Sequence, residues 1–401
     1  MLTLTYTYKI KPTQQQSAQI DSYLDVCRKV WNYALRERKD WLQSRKCSVN
    51  ACSLKSEYII PADEHYPNYF HQAKSLTQAK KENPELKSVN AQVLQQILRR
   101  LEQAFERRKK LGAGFPRFKK PGRLRSFVFP RLGKCPLGTG RVKLPSLGWL
   151  KIRQSRPYPE GFIAKQARVL KRASGYYVQL IFQTDLAVPE PPLAGHMTGV
   201  DVGLEYFLST SDGLQIERPK FFVDLQSKLK LIQSRQKRKQ LGSANWKKAQ
   251  GKVSKLHEQI ANTRKDFHFK VAHQLCDAAD VIVVEELNLV GLSRSFLAKH
   301  MLDAGHGQFL NEILPWVAWK RGKALVKEKA VGTSQECPEC GAVVKKQLSE
   351  RWHTCSCGCS MPRDIASGLV LRNRFMSRGA HGSSQNASGD ELTGSEFAQA
   401  S

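Results

Sequence analysis

The chain has 401 residues, with 65 Lys and Arg against 35 Asp and Glu, a formal charge of +30 at pH 7. Self-repulsion of that size is sustained by a polyanionic partner, which argues against an ordinary acidic small-molecule enzyme and points to phosphates. No apolar run approaches a membrane span, and the start MLTLTYTYKIK lacks the basic-then-apolar order of a signal peptide, so neither membrane nor secretion is expected.

Residues Leu2 to Lys11 alternate as a half-buried strand, with Leu4, Tyr6 and Tyr8 on one face. Pro12 ends it, and Thr13 with Gln16 forms a capping box opening a helix in which Ile20, Leu24, Cys27, Trp31, Ala34 and Leu35 recur at helical spacing. A polar stretch punctuated by Pro61, Pro67 and Pro84 follows. A second helix starts near Asn90, with Val93, Ile97, Leu101 and Phe105 on one stripe. Its outer face and the loop beyond are basic: Arg99, Arg108, Lys109, Lys119 and Lys120 are the candidate phosphate contacts. Short alternating segments from Ser126 to about Gln183 predict a small β unit, and AVPEPP at Ala187–Pro192 reads as a linker.

The character changes after Gly195. TGVDVGLEYFLSTSDG predicts a buried strand, a turn and a partner strand. A basic helical pair follows, broken near Gly242-Ser243. Between Gln226 and Lys270 it holds 13 Lys and Arg against Glu258 and Asp266 alone, a one-signed charge that calls for phosphate contact. Val281-Ile282-Val283-Val284 is a short buried strand ending in Glu285 and Glu286. From Met376 the sequence turns to Gly, Ser, Ala and Gln, with little to bury, and predicts a disordered tail.

Two constellations carry chemistry. Five of the ten cysteines crowd between Cys337 and Cys359. Cys337-Pro-Glu-Cys340-Gly is a metal knuckle, and Cys355-Ser-Cys357-Gly-Cys359 supplies a second pair, together a closed four-thiolate structural Zn²⁺ site. Cys355 and Cys357 are assigned, with Cys359 the competing ligand. The second constellation is acidic. Asp201 lies between glycines in GVDVG, Glu285 closes the VIVV strand, and Asp364 opens the apolar helix after Arg363. Two strand ends and a helix start can converge on a pair of Mg²⁺ ions, which activate water and steady the leaving oxygen of a phosphodiester. A metal-dependent nuclease is the leading enzyme class.

In their order, GVDVG, VVEEL, TSQECPECG, the second cysteine pair and RDIASG resemble the TnpB (OrfB) family of transposon-encoded RNA-guided DNA endonucleases, related to type V CRISPR effectors. Smaller matches extend the resemblance: YKIKPTQQQ, VWNYAL, GFPRFKK, VKLPSLGWLKIR, RKDFHFK and DAGHGQF. It implies a multidomain α+β chain: a wedge-like β-barrel (1–12 and 115–192) interrupted by a helical recognition domain (13–114). A RuvC-like, RNase H-type nuclease domain (195–332 and 361–375) would follow, with a zinc ribbon (333–360) inserted before its last catalytic residue and a tail at 376–401. It also implies an Asp201, Glu285, Asp364 triad with catalytic Mg²⁺, with the first acid of the Glu285–Glu286 pair chosen. The family interval of seven residues from the fourth zinc cysteine to the last aspartate favours Cys357 over Cys359. His306 stands where the family often has Trp, and Phe269 where it often has His.

The implied partners are a guide RNA from the transposon end and double-stranded target DNA beside a short target-adjacent motif, with no small-molecule cofactor, in a prokaryotic cytoplasm near the nucleoid. Rival readings are a nuclease-inactive RNA-guided repressor, a transposase acting in strand transfer, and a basic zinc-ribbon RNA-binding protein.

Overall fold

The computed structural model describes residues 2–46, 60–61, 63–188, 190–292, 297–329, 331–347 and 349–381. Cys47, Cys52 and the tail from 382 onward lie outside them. The chain divides into two compact units, Met1–Ala187 and Val188–Ser401, with the boundary inside the expected linker.

The first unit opens with β1 (Leu2–Lys11) and helix α1 (Gln14–Ser44). Thr13 Oγ1 accepts from the Gln16 N–H at 3.2 Å while Gln16 Oε1 accepts from the Thr13 N–H at 3.1 Å, the reciprocal cap the sequence predicts. Helices α2 (Tyr69–Glu82) and α3 (Pro84–Ser88) lead to α4 (Ala91–Leu111), which starts after its Asn90 cap and ends at left-handed Gly112. Val93, Ile97 and Leu101 are buried as the stripe requires. Six further strands follow: β2 (Ser126–Phe129), β3 (Leu137–Gly138), β4 (Arg141–Leu144), β5 (Gly148–Arg153), β6 (Ile163–Arg172) and β7 (Gly175–Thr184). Their order with β1 is β2-β6-β7-β1-β5-β4-β3, all antiparallel. Among the described residues β2 and β3 end this sheet unpaired with each other. The expected wedge-like barrel is therefore an open seven-stranded sheet: β3 is only two residues long and offers too little backbone for closure.

The second unit is built on a five-stranded sheet of order β10-β9-β8-β11-β12. Its strands are β8 (Met197–Asp201), β9 (Tyr206–Thr210), β10 (Gln215–Glu217), β11 (Val281–Glu286) and β12 (Ala324–Lys329). Strand β11 runs parallel to both β8 and β12 and is covered on both faces, which accounts for its unbroken apolar run. Between β10 and β11 lie α5 (Gln226–Lys237) and the 35-residue α6 (Ala244–Ala278). The first half of α6 packs Val253, Leu256 and Ile260 against Leu229 of α5 and Phe221. Its second half packs Val271, Ala272 and Leu275 against Ile282 and Val284 on one face of the sheet. Of the 13 cations between Gln226 and Lys270, all but half-buried Arg264 are exposed. The last helix, α7 (Arg363–His381), covers the opposite face through Leu371, against Val281, Val283 and Ala324. It runs through residues 376–381, where the sequence reading begins a disordered tail.

His268 and His306 are buried around Phe207, with ring centroids 5.2 and 5.0 Å from its ring. His268 donates Nε2–H to the Ala304 carbonyl at 2.9 Å. Burial, aided by Arg264 near His268 and Arg218 near His306, pushes both imidazoles down to about 4. The unfolded chain titrates these groups near 6.5 and so binds more protons between those values. Stability from this pair is therefore full above about pH 6.5 and lost as the pH falls towards 4, on the order of several kcal/mol in total. Urea midpoints measured from pH 7 to pH 4 should fall through that window, and His306→Phe should flatten the slope. A profile flat down to pH 4 contradicts this reading.

Candidate active site and metal centre

Alternation decides which acids meet. On β8, Met197 packs in the core under α7 and Gly199 touches that helix, so Asp201 falls on the same face. On β11, Val281 and Val283 face α7, which puts Glu285 on that face and Glu286 on the other. The parallel register pairs Val284 with Val200, and one step further sets Glu285 beside Asp201 at the carboxyl ends of both strands. Asp364 lies in the first turn of α7.

That helix reaches the strand through two glycines. A β-carbon at Gly199 would lie 1.9 Å from the Gly368 carbonyl oxygen, and one at Gly368 would lie 2.9 Å from the Gly199 oxygen and from the Ser211 nitrogen. Backbone meets backbone there, four residues after Asp364 and two before Asp201. A carbon at Gly203 would sit 3.9 Å from Asp364 Oδ2, which locates that carboxylate at the turn after β8. Gly199→Ala should therefore destabilise this unit by about 2–3 kcal/mol or more, because neither neighbour is a side chain that can swing away. It should also part Asp364 from Asp201. A urea midpoint equal to wild type would show that the crossing is looser.

Burial raises Asp201 well above the usual carboxylate range, and the charges of Glu285 and Asp364 push it further. Arg363 and the Val202 N–H oppose this. Glu285 is likewise raised by burial, against a Thr333 hydroxyl donating to its Oε1 at 3.2 Å and the charge of Arg374. Arg363 Nε lies 3.6 Å from Asp364 Oδ1. Asp201 is thus crowded by two further carboxylates in an oxygen-only donor set, which fits a hard divalent cation such as Mg²⁺. They are spread more widely than one ion's shell: among the described residues, both side-chain sets tight enough to share a single ion contain cysteine.

Two neighbours escaped the sequence reading. Thr333 belongs to TSQECPECG, yet nothing in the motif tells that its hydroxyl steadies Glu285. Glu328 pairs with Glu285 in the β11–β12 register and is buried, extending the acidic row to a third strand. Its Oε1 accepts from Arg378 and from the Lys329 N–H, while Oε2 has no hydrogen-bond partner among the described residues.

The cysteine segment follows β12. Its knuckle is closed by the Gly341 N–H on the Cys337 oxygen and the Cys337 N–H on the Ala342 oxygen, both 2.9 Å, with Gly341 at φ +73°. Two short strands, β13 (Trp352–Thr354) and β14 (Ser360–Pro362), pair antiparallel and bracket the second cysteine cluster. Cys337, Cys340, Cys355 and Cys357 bring one sulfur each within 4.8 Å of one another. Cys337 and Cys357 are 3.6 Å apart, as are Cys340 and Cys355. Tetrahedral zinc with bonds of about 2.3 Å needs edges of roughly 3.8 Å, so the set fits. Burial works against ionising Cys337, but N–H groups of Cys340 and Glu339 and the nearby His353 outweigh it and hold the thiol at about 5. Cys359 falls in a different trio, with Cys337 and His353. The segment is tied to α7: Asn373 Nδ2 donates to the Pro338 carbonyl at 2.8 Å and Arg374 Nε to Glu336 at 3.0 Å.

Parts of the chain match known protein families. Residues 178–295 match the OrfB_IS605 family profile, described as "Probable transposase". Residues 1–47 match a helix-turn-helix domain of the same OrfB group and residues 306–370 the TNB domain of Cas12f1-like proteins. Parts of the chain thus resemble OrfB-type transposases and Cas12f1-like proteins. Among its relatives, the Escherichia coli (strain K12) protein named "Putative RNA-guided DNA endonuclease InsQ" is 28% identical over 87% of this chain and 86% of its own. A Streptomyces pristinaespiralis protein of the same description, without the InsQ name, is 28% identical over 90% and 86%. A Cas12f1 chain, from a complex with sgRNA and target DNA, shares the fold at TM-score 0.54 and 12% identity, over 90% of this chain and 84% of that one. The helix-turn-helix description does not fit residues 2–46 here, which form β1 and the single helix α1. No helix among the described residues is long and apolar enough to cross a membrane.

The structure sorts the candidate phosphate contacts. Lys109 and Lys120 are exposed and make no ion pair among the described residues. Arg99 bonds the Tyr69 hydroxyl at 3.2 Å and lies over that ring, and Arg108 stacks 4.9 Å from the Phe115 centroid. Lys119 is turned inward over Trp31 at 5.2 Å, and burial, with the charge of Arg100, lowers its pKa. It is the weakest of the five as a phosphate ligand.

Proposed function

We propose that this chain is a TnpB (OrfB)-family, RNA-guided, Mg²⁺-dependent DNA endonuclease that cleaves double-stranded DNA beside a short target-adjacent motif, with a guide RNA derived from the transposon end. One observation carries the reading: Asp201, Glu285 and Asp364 arrive from two parallel strand ends and a helix start on one face of the sheet, and two of them raise the pKa of the third. These carboxylates would hold the metal. When bound, Mg²⁺ activates water and stabilises the leaving oxygen of a phosphodiester. Thr333 fixes Glu285, the Gly199–Gly368 crossing fixes Asp364 against Asp201, and Arg363 tempers the local negative charge. Cys337, Cys340, Cys355 and Cys357 would hold a structural zinc that secures the segment carrying Thr333.

The exposed cations of α5 and α6 supply a surface for the nucleic-acid backbone, bound through charge and not through sequence. Sequence would be read by pairing between guide and target strand, leaving the protein to read the adjacent motif. The test is to co-express the chain with its flanking DNA, sequence the RNA that copurifies, and assay cleavage with and without Mg²⁺. A discrete bound RNA and Mg²⁺-dependent cutting support the proposal. Bound RNA without cutting, with zinc retained, transfers the function to guided binding alone.

A further inference from the structure

The GFPRFKK loop is held more firmly than a surface loop requires. Trp31 Nε1–H donates to the Arg117 carbonyl at 3.1 Å. Asn32 then acts as a strand partner: its Nδ2 donates to the Lys119 carbonyl at 2.9 Å and its Oδ1 accepts the Lys119 N–H at 2.7 Å. With Lys119 drawn inward over Trp31, the loop shows Phe115 and Phe118 to solvent, 37% and 47% exposed. Beside them stand cations: Arg108 lies 4.9 Å from the Phe115 centroid and Lys39 Nζ 5.8 Å from that of Phe118. Arg117 between them is exposed. Lys39 and Gly114–Phe118 line an open concavity of about 590 Å³, within the size range of small-ligand sites.

We propose that this loop is a stacking platform for an unpaired nucleotide of the bound RNA, with Phe115 and Phe118 against the base and Arg117 and Lys39 against its phosphates. The inference rests on the RNA-guided reading above and adds a subsite to it. Exposed rings flanked by same-signed cations match a flat, uncharged base carried on a polyanion. An apolar protein segment would leave those cations unmatched. A duplex hides its base faces, so the platform selects unpaired RNA.

The experiment measures binding of the full chain to a fluorescein-labelled single-stranded RNA, with the same sequence as an RNA hairpin stem and as single-stranded DNA. Phe115→Ala with Phe118→Ala should weaken the single-stranded RNA roughly 5- to 150-fold, the range for loss of base stacking. The slope of log affinity against log salt should stay as in wild type, since no counterion is involved. Phe118→Trp should retain affinity, and RNA should quench the emission that the substitution adds over wild type. Affinity within twofold of wild type for the alanine variant, equal loss on the stem, greater loss on DNA, or added emission in Phe118→Trp that RNA leaves unquenched would each overturn the proposal. Wild-type chain that binds no RNA at all would instead overturn the functional reading on which it rests.

Discussion

Replacing Asp201 with Asn is expected to abolish DNA cleavage and, in metal-free protein, to raise the melting temperature. The two effects have one cause. Burial and the charges of Glu285 and Asp364 hold the Asp201 pKa well above that of a free aspartate. A carboxylate whose folded value exceeds its unfolded value contributes stability only at low pH and loses it as the pH rises through the folded value. At neutral pH the unneutralised triad is therefore a cost, and the neutral amide removes it; a gain of a few degrees is the expected order for a unit of this size. The same change would delete an oxygen of the proposed metal site, and loss of several kcal/mol of transition-state stabilisation corresponds to a rate lower by on the order of 10³-fold or more. RNA affinity should not change, because the exposed cations of α5 and α6 lie on other elements. Retained cleavage, or a lowered melting temperature of the metal-free variant, contradicts this account of Asp201.

The second large effect concerns the thiolates. Cys340→Ser or Cys357→Ser should take the zinc content from one per chain to near zero, whereas Cys359→Ser should leave it intact. Structural zinc contributes on the order of 10–16 kcal/mol to small zinc domains at neutral pH, so the segment should not stay folded without it. The consequence reaches the active site through Thr333 on Glu285 and through the ties from Asn373 and Arg374 to Pro338 and Glu336. Cleavage should fall in the two metal-losing variants and persist in Cys359→Ser. Zinc analysis showing loss in Cys359→Ser and retention in Cys357→Ser would reassign the fourth ligand to the Cys337–His353–Cys359 trio.

Much of this was legible in the chain because it rests on local periodicity and spacing. The Thr13–Gln16 cap, the Val93–Leu101 stripe, the breaks at Gly195 and Ser243 and the apolar run of β11 all follow from a few residues read in order. The gathering of Cys337, Cys340, Cys355 and Cys357 follows from spacing too. What stayed hidden depends on register or on non-local backbone approach. The preference for Glu285 over Glu286 came from resemblance, whereas the structure supplies a reason in the pleat of β11 beside β8. Glu328 carries no motif, and only its pairing with Glu285 reveals it. The expected barrel failed for the same kind of reason: alternation predicts strands, but closure depends on edge lengths that alternation does not encode. Lys119 is indistinguishable in sequence from its exposed neighbours, because the Asn32 bonds that turn the loop span 87 residues.

Guide-directed, triad-dependent cutting is tested on the purified protein with its copurified RNA. The protein is mixed with Mg²⁺ and two linear duplexes that differ only in whether one strand complements the guide segment. Cleavage of the matched duplex is expected, with none of the mismatched one and none of either by Asp201→Asn. Cleavage of both duplexes alike, or of the matched duplex by the Asn variant at the wild-type rate, would contradict that expectation.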